Sequence, residues 1–95
     1  MIVLNVTYKC KTGMREAFLG AIKAEGLDAA CRAEAGNRRY DYYMAADNAD
    51  EMVLLEKWVD ADALAKHGKE AHFLRIGELK KEYVDEAILE KFFTE

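Results

Sequence analysis

Ile2, Leu4, Val6 and Tyr8 alternate with Val3, Asn5 and Thr7 at the start of the chain, the period of two that marks an extended strand with two unlike faces. The period then changes. After the break Lys11-Thr12-Gly13, apolar residues fall at Met14, Ala17, Phe18, Ala21 and Ile22, one stripe of an amphipathic helix. A strand followed at once by a helix with a single apolar stripe must bury both against a common core, which confines the chain to layered mixed folds. Gly26 ends or interrupts the helix, Leu27, Ala29, Ala30 and Cys31 continue it briefly, and Ala35-Gly36-Asn37 closes it in a turn.

The second half repeats this grammar. Arg39–Ala45, with Tyr40, Tyr42 and Tyr43, and Met52–Val59, with Val53, Leu54, Leu55 and Trp58, are rich in strand formers, and Asp47-Asn48-Ala49-Asp50 between them is a turn. Those four residues lack the alternating ligands, the glycine and the closing glutamate of a calcium loop. Asp60 is placed to cap a helix holding Ala63, Leu64 and His67, and beyond Gly68 the stretch Lys69–Lys81 carries Phe73, Ile76 and Leu79 at helical spacing. Tyr83–Phe93 is a last strand, with Val84, Ile88 and Phe92 expected on one side. The predicted order is βαββαβ: an α+β, ferredoxin-like domain over residues 1–95, with a four-stranded antiparallel sheet covered by helices on one face.

The other sheet face keeps many apolar residues, and 95 residues supply only a thin core. Two copies packed sheet to sheet would satisfy both chains, so a homodimer is expected. Fourteen basic against eighteen acidic residues give a net charge of −4 with scattered cations, which argues against nucleic acid as a partner. The opening MIVLNVTYK has no charged leader and reaches Asn5 after four residues, so neither a signal peptide nor a membrane span is expected, and the reading is a cytoplasmic protein. Cys10 and Cys31, twenty-one positions apart without a CxxC, read as reduced packing residues.

The residues that stand out chemically are Asn5, Tyr40, Tyr42, Tyr43, Trp58, His67, His72 and Arg75. Tyrosines and tryptophans on strands of a small domain serve first as core. An amide amid apolar neighbours in a strand, as at Asn5, needs partners if buried. His67 and His72 are the only histidines and can exchange protons near neutral pH. On one continuous helix, five positions at about 100° each set them about 140° apart, unlike the i, i+4 pair of helical zinc sites. A kink at Gly68 could join them, but no cysteine or carboxylate at ligand spacing completes a set, so no metal is expected. A phosphate loop, a nucleophile elbow and a Cys/His catalytic signature are also missing.

The stretches EAGNRRYDYY (34–43) and MVLLEKWVDADALAKHGKEAHF (52–73) resemble the antibiotic biosynthesis monooxygenase family, which includes quinol monooxygenases. The family pattern is E-x-G-N-x-R-Y-D before a hairpin, then E-x-W, A-L-x-x-H and H-F. The resemblance implies a dimeric α/β barrel with a pocket between sheet and helices in each subunit. It also implies cofactor-independent oxidation of a small aromatic quinol or phenol by molecular oxygen. Carried over residue by residue, it assigns His67 and His72 to proton transfer and Asn5, Tyr40, Tyr42, Trp58 and Phe73 to the walls that hold substrate. Haem-degrading relatives carry a Trp where His67 stands, which weakens a haem reading. Isomerases of a phosphorylated autoinducer sugar share GNRRYD and the two histidines of KHGKEAH, and a non-catalytic binding dimer is the third alternative.

Overall fold

A computed structural model describes all residues, 1–95. Eight elements follow the predicted order, with each helical layer broken in two: β1 (Ile2–Cys10), α1 (Arg15–Ala24), α2 (Leu27–Arg32), β2 (Asn37–Met44), β3 (Glu51–Trp58), α3 (Ala61–His67), α4 (Ala71–Tyr83) and β4 (Val84–Phe93). The strands form one antiparallel sheet in the order β2-β3-β1-β4.

The breaks follow from local chemistry. Between α1 and α2, Gly26 sits at φ +65°, in the left-handed region where a Cβ would strain the backbone. Asp60 starts α3 by accepting the Ala63 N–H at 2.8 Å. After His67 the chain turns tightly, Lys69 N–H donating to Lys66 O and Glu70 N–H to His67 O, before α4 begins at Ala71.

The core lies between the helices and one sheet face. Ile2, Leu4, Val6, Tyr8 and Cys10 of β1 and Met52, Leu54 and Trp58 of β3 meet Phe18, Ile22, Leu27, Cys31, Ile76 and Leu79. Glu56 falls in phase with that apolar row and is buried with it. Val3, Asn5 and Thr7 point to the outer face, opposite Phe92, Glu90 and Ile88 of β4. The expected alignment of Val84 with Ile88 and Phe92 fails. A register irregularity between Lys9 and Cys10 pairs Val84 with the buried Cys10, and Val84 packs on the core while Ile88 and Phe92 face outward. Ile88, Leu89, Phe92 and Phe93 are all exposed in the single chain. No helix is long and apolar enough to cross a membrane.

One close approach fixes α3. A Cβ on Gly36, where the chain enters β2, would overlap the Ala63 methyl and come within 3.3 Å of Val59 Cγ2. The Gly36 carbonyl accepts the Val59 N–H at 2.9 Å. The bare backbone at Gly36 therefore lets α3, and His67 at its end, lie directly on the sheet edge.

Candidate active site

His67 is the centre of the site, with its side chain only 4% exposed. Its Nδ1 lies 2.6 Å from Glu34 Oε2, and the same oxygen lies 2.9 Å from His72 Nε2. A carboxylate oxygen only accepts, so each imidazole donates through the nitrogen that faces Glu34. That fixes the proton of a neutral His67 on Nδ1 and leaves Nε2 bare, on the side of Glu56, whose Oε1 is 3.8 Å away. Glu56 is held in turn by the Trp58 indole, whose Nε1–H donates to Oε1 at 3.0 Å.

Aromatic rings enclose the imidazole. Trp58 lies against it at 4.4 Å between centroids, Phe73 meets it edge-on at 5.0 Å, and Tyr40 stands at 6.0 Å. Burial pushes the Glu56 carboxyl above the usual carboxylate range and the neighbouring Glu34 adds to the push, while the Trp58 N–H and His67 oppose it. Burial also drives the phenols of Tyr40 and Tyr42 well above their ordinary range, so both act as neutral hydroxyls and aromatic walls.

A cavity of about 360 Å³ opens between the α3–α4 corner and the β1–β4 side of the sheet. Its apolar walls are Leu4, Val6, Leu64, Phe73 and Leu89, with the Tyr8 ring; its polar groups are Glu56, His67, Lys80 and Lys91. The volume suits a small ligand. Lys80 Nζ stands 5.9 Å over the Tyr8 ring. A second depression of about 460 Å³ is lined by Glu34 with Asp60, Asp62, Lys66 and Glu70.

The residues picked from the sequence are thus sorted by the fold. His67 and Phe73 line the cavity. His72 lies behind His67 on the shared carboxylate. Trp58 is fully buried and acts on the site through His67 and Glu56, while Tyr40 and Tyr42 stack edge-on at 5.8 Å as packing behind the imidazole. Asn5 lies elsewhere: it is on the outer sheet face and its Nδ2 donates to Glu90 Oε1 at 3.4 Å. Arg75 bridges Glu25 and Glu78 on the surface.

Glu34 and Glu56 were missed by the sequence reading, although Glu56 carried a signal, an acid in phase with Met52, Leu54 and Trp58. The expectation that no cysteine or carboxylate joins the histidines is also corrected. Donor atoms of Cys31, Glu34, His67 and His72 all lie within 4.8 Å of one another, the chain breaking between α3 and α4 at the Gly68 kink that could join the histidines.

Comparison with known proteins agrees with this architecture. The Bacillus subtilis (strain 168) protein YcnE, a monooxygenase by provisional assignment, is 41% identical over 73 residues, 77% of this chain and 75% of that one. The crystal structure of PA3566 from Pseudomonas aeruginosa superposes with a TM-score of 0.88 at 27% identity, over 98% of this chain and 92% of that one. A Nitrosomonas europaea structure, provisionally an antibiotic biosynthesis monooxygenase, gives 0.88 at 25% identity over 99% and 98%. Residues 1–79 match the family described as antibiotic biosynthesis monooxygenase, and with four elements of its pattern set around one imidazole the chain belongs to that family.

Proposed function

We propose that the chain is a cofactor-independent monooxygenase that oxidises a small aromatic quinol or phenol with molecular oxygen, working as a homodimer. The observation that carries this is His67, oriented by Glu34 at 2.6 Å, which lines a largely apolar cavity together with Glu56, the residue 3.8 Å from its Nε2. A phenol in that cavity gives its proton to Nε2. The phenolate passes one electron to O₂, and the resulting radical pair recombines at a ring carbon. Loss of water leaves one oxygen atom of O₂ as a quinone carbonyl, so that substrate and O₂ become quinone and water. Glu34 fixes the tautomer and compensates the imidazolium, as the carboxylate does in other carboxylate–histidine pairs. Leu4, Val6, Phe73 and Leu89 give the radical pair apolar walls.

Asn5 has no part in this scheme because it faces away from the cavity. The homodimer is supported by the outer face, where Ile88 and Phe92 stand opposite Thr7 and Val3 as exposed apolar side chains. Lys80 and Lys91 at the cavity favour one alternative, isomerisation of a phosphorylated sugar, since they could receive a phosphate. Oxygen uptake with a panel of quinols and phenols separates the two. Uptake that depends on His67 supports the monooxygenase, and turnover of a phosphorylated keto-sugar without oxygen uptake overturns it.

A further inference from the structure

We propose that Cys31, Glu34, His67 and His72 form a binding site for a divalent transition-metal ion, with Zn²⁺ the ion best matched to the donor set. The four residues come from separate places in the fold: the end of α2, the turn into β2, the last residue of α3 and the first turn of α4. Their donor atoms nevertheless lie within 4.8 Å of one another, and two imidazole nitrogens already converge on one carboxylate oxygen at 2.6 and 2.9 Å. Bonds of about 2.0–2.3 Å in a tetrahedral zinc site put neighbouring donors about 3.3–3.7 Å apart, so closing the set on an ion draws the widest pair together by up to about 1.5 Å and opens the two hydrogen-bonded pairs by about 0.4–1.1 Å. Four donors that mix sulfur, nitrogen and oxygen fit Zn²⁺, which takes such sets in four-coordinate sites.

Charge and surroundings point the same way. One thiolate and one carboxylate neutralise the ion, so no net charge is left in a site whose thiol is fully buried. A ligating imidazole ordinarily donates its other N–H to a carboxylate, and Glu56, itself held by the Trp58 indole, stands 3.8 Å from His67 Nε2. The depression beside Glu34, with Asp60, Asp62 and Glu70 against Lys66, offers cations a negatively charged approach. On binding, the Cys31 thiol proton leaves to solvent, the His67 proton moves from Nδ1 to Nε2, toward Glu56, and His72 carries its proton on Nδ1. Occupied Nε2 cannot accept a phenolic proton, so the ion would switch off the reaction proposed above. That consequence rests on the monooxygenase reading, whereas the binding itself does not.

The test uses the full chain after treatment with a chelator. Titration with Zn²⁺ followed by calorimetry, and with Co²⁺ followed by absorption, should give one ion per chain. Cobalt should show the visible bands of a four-coordinate ion together with a thiolate charge-transfer band. Cys31→Ser should abolish the charge-transfer band, His72→Ala should weaken Zn²⁺ more than Glu56→Gln does, and Glu56→Gln should weaken it about 10- to 100-fold. Asp85→Asn, on β4 and outside both the set and its approach, should leave the cobalt spectrum unchanged. Absence of a thiolate band in the unsubstituted protein, or Zn²⁺ held equally well by the His72→Ala variant, overturns the site, and neither result depends on turnover.

Discussion

Gly36→Ala tests how α3 is held against the sheet. The new methyl would overlap Ala63 Cβ and lie 3.3 Å from Val59 Cγ2 and 3.4 Å from Ala63 Cα. Carbon atoms pack at about 3.5–4.0 Å, so α3 must lift by at least about 1 Å to admit the methyl. Overpacking of this kind costs about 1–3 kcal/mol, which in a chain this short lowers Tm by roughly 10 °C. His67 ends the helix that moves, and a displacement of about 1 Å in a positioned group can cost about 10²-fold in rate. The decisive comparison adds Ala63→Gly. Alone it costs about 1 kcal/mol of helix propensity. Together the overlapping methyl is gone, and the remaining close neighbours need give only a few tenths of an ångström. The double variant should therefore be more stable than the sum of the two losses by about 1 kcal/mol or more, and should recover most of the turnover. Denaturant unfolding of all four proteins with oxygen-uptake rates measures this. Additive losses, or a single Gly36→Ala variant with unchanged Tm and rate, would refute the close approach as the device that positions His67.

His67→Ala should lower oxygen uptake with a quinol substrate by about 10²- to 10⁴-fold. His72→Ala, which removes one of two donors to Glu34 and no cavity wall, should lower it by about tenfold or less; equal losses would contradict the assignment of the base. Asp28→Asn probes a buried acid shared by Lys23 and Arg32. Burial alone would raise its carboxyl, but the hydrogen bonds from Lys23 and Arg32 outweigh burial and hold it below the ordinary range. Its stabilisation is thus present above the unfolded carboxylate range near about 4 and fades as pH falls through the depressed folded value. The variant should lose about 1 kcal/mol at pH 7, since both partners are partly solvated, and converge with the parent in acid denaturation. Sedimentation should find a dimer at micromolar concentration and Ile88→Lys or Phe92→Glu should shift it toward monomer; a monomeric parent would end the sheet-to-sheet proposal.

The fold was legible because burial writes itself into sequence as period. Ile2, Leu4, Val6 and Tyr8 could share only one face, and Phe18 and Ile22 could meet them only from a helix laid across it. The same rule, applied to Asn5, already assigned that amide to the face opposite Leu4 and Val6; its oddness in a strand suggested a site, and the parity decided its place. Two things resisted. The Lys9–Cys10 irregularity that carries Val84 to the core has no glycine or proline to announce it. Angles on a continuous helix separate the two histidines and a kink at Gly68 joins them; Gly68-Lys69-Glu70 do end one helix and start another, so the pair's geometry depends on a tertiary turn. Glu34 was visible as the first letter of E-x-G-N, but nothing local reveals that a turn residue thirty-three positions before His67 will touch it.

In the proposed reaction the base is His67 rather than His72 because of what lies beside each imidazole's second nitrogen. Both donate to the same Glu34 oxygen, so Glu34 alone does not distinguish them. His67 presents its other edge to Glu56, which lines the cavity, and is clasped by Trp58 and Phe73. When a phenolic proton arrives there, the imidazolium forms with one carboxylate oxygen at 2.6 Å and another at 3.8 Å, both nearly enclosed by protein, where such charge pairs are screened least. The phenolate of the proposed reaction would lie against Leu4, Val6 and Leu89, with Lys80 and Lys91 as the cations at the same cavity. A buried acid such as Glu56 costs stability, and burial alone would favour a hydrophobic residue at a position in phase with Leu54 and Trp58. Its place on the cavity side of His67 suits a counter-charge for the proton that comes and goes in the proposed reaction.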